Sequence, residues 1–277
     1  MKTKWTRLVT LFLFLIASIC LFLWIIIGGD IGQFGLNAFT EILGIIVTVL
    51  IVDQLIKRQE EARLLPQQAA AYEDVRLLTS RIVSFWSNTY KSCIPGQPPQ
   101  TIEELLSKQS LESICNNLNL DSNPKVLPKR TWWEWFPQNL IEFRTQAETI
   151  LERHNSILDP AAYAAVHKIA TYIIRPEMIA TSRQIDIQSG FPRSKILGSY
   201  WHLIGDYSGP TLTLVSWCQY KIQKLESSGL ENLEKVVSQV EQWDPQASPP
   251  CMISQEELQK QIEAIKIFRE NYKELPF

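Results

Sequence analysis

Histidine is scarce in this chain: His154, His167 and His202 are the only three, and none has the H-x-x-x-H or H-E-x-x-H spacing that places two imidazoles on one metal. Cysteine is nearly as rare, with five residues at 20, 93, 115, 218 and 251. They form no C-x-x-C pair, which excludes a sequence-local zinc site and leaves reduced thiols as the simplest reading. There is no Walker loop, no G-x-G-x-x-G turn and no Ser or Cys beside a histidine in a nucleophile motif. Strand-like alternation, internal repeats of fixed period and low-complexity tracts are also missing. With 27 basic and 29 acidic residues the formal charge is -2, so no broad basic surface is expected and nucleic acid is not an expected partner. These absences argue against an enzyme or cofactor protein with a local signature. Catalysis by residues assembled from distant positions stays open.

What the chain does have is two long apolar runs near its start. Residues 8–27, LVTLFLFLIASICLFLWIII, carry no charge and no proline, and about twenty residues at 1.5 Å rise cover roughly 30 Å of hydrocarbon. The run continues through Leu21, Phe22, Leu23 and Trp24. It is too long for a signal-peptide core and runs on through these bulky residues where such a core would end at a small-x-small site, so it reads as an uncleaved anchor. A second span is expected over 36–56, after a Gly-rich connection, GGDIGQFG, that closes a hairpin. Lys2, Lys4 and Arg7 precede the first span, Lys57, Arg58 and Arg63 follow the second, and the connection has no basic residue. The positive-inside rule then puts both termini in the cytoplasm.

The second span contains two carboxylic acids, Glu41 and Asp53, each about 6 Å from an edge by the helical rise. Thr40, Gly44 and Thr48 recur every four residues, a small-xxx-small stripe that admits another backbone, and Glu41 projects from nearly the same face. Asp53 points elsewhere. Either the acids are interfacial carboxylates beside a packing stripe, or Glu41 belongs to a conduction or proton-binding path. If several copies pack through the stripe, Glu41 forms an acidic ring. If the stripe instead receives Ala17 and Ser18 of the first span, it is a local polar contact.

The stretch NAFTEILGIIVTVLIVDQLIKRQEE, through Asn37, Thr40, Glu41, Thr48, Val49 and Asp53, resembles the second span of uncharacterised bacterial two-helix membrane proteins. The resemblance covers this anchor region only. It implies a bacterial plasma (inner) membrane and a recurring anchor with variable cytoplasmic cargo, and brings no activity with it.

Beyond residue 57 helices are expected almost throughout. Ala71, Val75, Leu78, Ile82, Phe85 and Thr89 form a heptad stripe that seeks a partner helix. Pro66 is expected to kink or break the rod before it, and CIPGQPPQ ends it. TIEE from Thr101 and SQEE from Ser254 read as capping boxes. GPTLTLVSWCQYKIQKLESSG reads as a complete helix, with Pro210 in its first turn and Gly229 past its end. LENLEKVVSQVEQW continues the helical pattern through Leu230, Leu233, Val236, Val237 and Val240. IIRPEM ends one helix at Arg175 and starts another at Pro176.

Three further patches carry chemistry. Lys129 and Arg130 adjoin Trp132, Trp133, Trp135 and Phe136 in PKRTWWEWFPQNL. This composition suits a membrane interface, packing in a core, or, less well, stacking on nucleic acid. Arg183, Arg193 and Lys195 surround a Gly-Phe-Pro turn and suit an anion if gathered in one pocket, or solvated loop charge if not. His202 and Asp206 share a helix face if SYWHLIGDY is helical.

The reading is an all-α protein. Residues 1–57 form a transmembrane hairpin, 58–93 a stalk or heptad helix, and 94–277 a cytoplasmic helical domain that is one bundle or two separated near 121–130. The expected function is a membrane-tethered, non-enzymatic interaction or scaffold protein. It would self-associate in the lipid bilayer through its spans or its heptad stripe and recruit an unidentified cytoplasmic protein partner. The alternative is an oligomeric channel or membrane-disrupting effector. No metal or cofactor is assigned.

Overall fold

The computed structural model describes residues 2–27, 29–171, 176–190, 194–203 and 206–271, and divides into two compact units, Met1–Pro66 and Gln67–Phe277. It is all-helical, with no strand among the described residues and two isolated antiparallel bridges, Leu118 with Met252 and Asn119 with Ile196.

The first unit contains α1 (Lys2–Ile27) and the opening part of α2 (Gly29–Cys93). Gly29 has φ +61, the left-handed conformation that glycine adopts without a Cβ clash and that commonly ends helices. The helix resumes at once, so the expected connection GGDIGQFG is helical from Gly29 onward and not an eight-residue loop. Among the described residues one helix near the N-terminus, α2, is long and apolar enough to cross a membrane, and only 11% of its most apolar stretch is buried. Ala17 and Cys20 of α1 and Ile46 of α2 are buried. Around them Phe12, Leu15, Ile19, Phe22, Phe34, Ile51 and Leu55 are exposed. A continuous apolar surface of that extent is foreign to a water-solvated fold.

Pro66 lies inside α2 and does not end it. Beyond Pro66 the helix belongs to the second unit, and its heptad stripe is wholly interior: Ala71, Val75, Leu78, Ile82, Phe85 and Thr89 are all buried. The stripe was expected to seek a partner helix in another molecule. It meets this chain's own helices. Phe85 stands against Phe136 and Phe143 of α5 (Trp132–His154), with ring centroids 5.3 and 5.5 Å away. Such tilted and edge-to-face aromatic pairs contribute about 0.5–1.5 kcal/mol each beyond burial. Two short helices, α3 (Ile102–Leu105) and α4 (Lys108–Asn117), precede α5. After it, α6 (Pro160–Thr171) and α7 (Pro176–Ser189) pack on α5, and α8 (Ser208–Ser227) packs on α6. A 3-10 turn, Leu197–Leu203, sits on α4, and α9 (Gln255–Asn271) closes the described chain. Gly198 permits that contact, because a Cβ there would stand 3.2 Å from the Cys115 carbonyl oxygen.

Residues 230–248 are not helical, contrary to the continued helical pattern expected there. They form an extended strap along the second-unit part of α2. The Tyr72 hydroxyl donates to the Glu234 carbonyl at 2.6 Å, the Val237 amide to Ser80 Oγ at 3.4 Å, and the Trp243 ring lies tilted against that of Tyr90, centroids 6.2 Å apart. Strap and helix therefore run the same way. Nine strap steps at about 3.3 Å span roughly 30 Å, while the eighteen helix steps from 72 to 90 span about 27 Å at 1.5 Å each. Val236 and Val240 of the strap are buried, and their separation of four suits a period of 2.0 as well as one of 3.6. β-branching at Val236, Val237 and Val240 tips the balance toward the extended form. The strap's end is tied down where the Cys251 amide donates to the Ser92 carbonyl at 2.9 Å.

Candidate functional site

On α2 the small-residue stripe is uncovered. Thr40, Gly44 and Thr48 are exposed, and a Cβ built on Gly44 would meet nothing within 4 Å. Ala17 of α1 is buried while Ser18 is exposed and turns its hydroxyl to the Phe14 carbonyl, 2.8 Å away. The α1 patch thus does not occupy the Gly44 position. Both threonines satisfy themselves within the helix: Thr40 Oγ1 donates to the Asn37 carbonyl and Thr48 Oγ1 to the Gly44 carbonyl, each at 2.8 Å. Neither hydroxyl therefore needs water or a partner to be buried. Glu41 joins Gly44, Ile45, Thr48 and Val49 along a shallow open groove, and has no ionic partner among the described residues. Asp53 does have one, Lys57 Nζ, one turn further on. The two acids are therefore unlike: Asp53 is half of an edge ion pair, whereas Glu41 lies on the open stripe.

The tryptophan-rich patch divides between interior and surface. Trp132, Trp133 and Phe136 are buried, so their rings are core residues and are not available to a membrane surface. Trp135 is half-buried, Arg130 is half-buried and bonded to Gln138, and Lys129 is exposed. The reason lies in α5. Glu134 reaches back to accept from the Thr131 amide at 3.4 Å, fixing the helix start so that Trp132, Phe136 and Phe143 turn toward α2. T-W-W-E is itself a capping-box sequence, a signal present in the chain but passed over in favour of its aromatics.

Trp133 anchors an ionic cluster. Its indole N–H donates to Asp121 Oδ1 at 2.8 Å, Lys195 Nζ lies 2.9 Å from Asp121 Oδ2, and Arg183 stands 3.8 Å from Asp121. Burial pushes the Asp121 carboxyl up, but the Lys195 and Trp133 bonds and the nearby charges of Lys195 and Arg183 outweigh it and bring it below the ordinary range. Lys195 also pairs with Glu257, 3.1 Å away. Two of the loop cations expected to be solvated or to hold an anion are thus engaged by this chain's own acids, while Arg193 lies outside the described residues. Glu257 serves this cluster instead of completing the S-Q-E-E box, of which only the Ser254 cap forms, accepting from the Glu257 amide at 3.1 Å.

The histidines are dispersed. His154 Nε2 is 2.8 Å from Asp74 Oδ2, and His167 stacks on Tyr163. The His202 side chain lies outside the described ones, and Asp206 caps α8 by accepting from the Ser208 amide at 2.9 Å. Among the described residues no three His, Cys, Asp or Glu side chains gather as metal ligands.

The second unit also has a cavity of about 540 Å³ between α2, α5, the 124–126 loop and the strap's end. Phe85, Trp132 and Phe143 form its apolar wall, while Arg81, Lys91 and Lys125 bring positive charge. Glu142 is its one acid, and accepts from Gln138 Nε2 at 3.0 Å. The buried Trp132 Nε1 has no hydrogen-bond partner among the described residues. Sequence reasoning missed this cavity. Its one legible trace is the spacing of Arg81, Phe85, Asn88 and Ser92, which lines a single face of α2 beside the heptad stripe.

Comparison with protein-family models, with curated proteins and with solved structures gives no match to this chain.

Proposed function

We propose that the protein is a membrane-tethered, non-enzymatic interaction or scaffold module, anchored by a transmembrane hairpin of α1 and α2 and self-associating through the Thr40, Gly44 and Thr48 stripe. The uncovered Gly44 carries this reading: the heptad stripe is consumed inside the second unit, and the small-residue stripe is the association surface left open. In lipid, small residues let helix backbones approach and gain dispersion contacts where no hydrophobic force acts between helices. The basic residues flanking the spans favour a cytoplasmic helical bundle able to receive a protein partner, and the second-span resemblance favours the bacterial plasma membrane.

Cysteine crosslinking in native membranes tests it. Thr48→Cys should give a disulfide-linked dimer on mild oxidation. Leu50→Cys, about 200° round the helix, should not. No dimer at either position, or equal dimer at both, contradicts association through the stripe.

The open position of Glu41 on the same stripe favours one second reading, an oligomeric channel with Glu41 near the conduction path. Glu41→Gln should then alter cation flux in proteoliposomes, and equal flux from both proteins argues against it.

A further inference from the structure

We infer that the cavity between α2 and α5 is a binding site for a small amphipathic anion, an apolar or aromatic body carrying one sulfonate, carboxylate or phosphate head. The inference does not rest on the membrane-scaffold reading, because every lining residue belongs to the second unit.

Three independent features define the occupant. The first is size: about 540 Å³ lies within the range of small-molecule pockets, roughly 300–1,000 Å³. The second is the orphan donor. The Trp132 side chain is 2% exposed, it lines the cavity, and its N–H is unpartnered among the described residues. That N–H is closed to water in this structure, so an occupant reaches it only after a small shift of the covering atoms, and an acceptor there would remove the cost of an unsatisfied buried donor. The third is charge. Arg81, Lys91 and Lys125 face Glu142, an excess of two positive charges over one apolar wall. Lys91 lies over the Trp243 ring at 5.6 Å, which holds its ammonium near the cavity without neutralising it. Arg81 spends one donor on Gln146 Oε1 and keeps the rest of its guanidinium fork. A cation would meet this excess of like charge. A neutral apolar molecule would leave the cations unused. An anion with an aromatic body uses both surfaces.

The test is calorimetric titration of the full chain in phosphatidylcholine nanodiscs with naphthalene-2-sulfonate, with empty nanodiscs as the blank. Saturable one-to-one binding is expected, and the neutral probe 2-naphthalenemethanol should bind at least tenfold more weakly. Arg81→Gln combined with Lys125→Gln, both exposed positions, should weaken sulfonate binding about tenfold with an unchanged melting temperature. Trp132→Phe, which keeps an aromatic ring but removes the donor, should weaken it severalfold. Lys108→Gln, distant from the cavity lining, should leave it unchanged. Absence of saturable binding, equal binding of the neutral probe, or full affinity in the Arg81 and Lys125 double variant each overturns the inference.

Discussion

Asp121 shows how a single residue couples distant segments of this fold. Its carboxylate receives the Trp133 indole and the Lys195 ammonium, joining the start of α5 to the segment before the 3-10 turn. The Asp121 carboxyl is lowered, so its contribution to stability is full above the ordinary carboxylate value of about 3.9 and is lost as pH falls through the folded value. Lys195 is raised, chiefly by its bond to Asp121. Its contribution is full below the ordinary lysine value of about 10.4 and is lost as pH rises through the folded one. Both side chains are more than a third exposed, so solvent screens the pair. Lys195→Met should therefore cost only about 1 kcal/mol at pH 7. That cost should shrink in urea melts below about pH 4. A pH-independent difference would mean the cluster is held by packing alone. A second prediction concerns thiols. Burial pushes Cys115 and Cys218 up to about 12 and Cys93 well above its ordinary value, and the thiolate is the reactive form. Iodoacetamide at pH 8 should leave these three unmodified in the native chain and alkylate them in denaturant, as read by peptide mass spectrometry.

Element by element, legibility in the sequence followed the number of structures a pattern permits. The α8 reading succeeds because Pro210 near its start, Gly229 past its end and a one-sided stripe through Leu212, Val215, Cys218, Ile222 and Leu225 agree on one helix, with Leu212 half-buried and the other four buried. The heptad stripe of α2 was legible as a buried face, residue for residue, but its partner was not: periodicity states that a face is covered and is silent on whether the cover is another molecule or α5. The strap reads as helix in the sequence for a physical reason: Val236 and Val240 satisfy both periods, and β-branching together with the contacts to α2 decides for the extended form. Lys195 and Asp121, 74 positions apart in sequence, carry no local signal at all. If the strap contributes to the core as its burial implies, Val236→Ala or Val240→Ala should each lower stability by roughly 1.5 kcal/mol, at about 0.8 per buried methylene. Chemical denaturation measures this, and changes near zero would show the strap to be only loosely laid on α2.

For the molecule as a whole, the contrast between its two units carries the argument. Gln67–Phe277 puts its core apolar residues inside, including the stripe and Trp132, Trp133 and Phe136, which looked available for partners or membrane. Met1–Pro66 leaves most of its described apolar residues outside, along with Gly44 of the small-residue stripe, beside which another backbone has room to approach. On the proposed function, assembly belongs to the membrane anchor and recognition to the second unit. Light scattering of the full chain in mild detergent tests this most directly. The wild type should have the mass of a defined oligomer, and Gly44→Ile, which fills the open position, should shift it to the monomer without changing the melting temperature. A monomeric wild type, or an oligomer that Gly44→Ile leaves intact, would contradict the account.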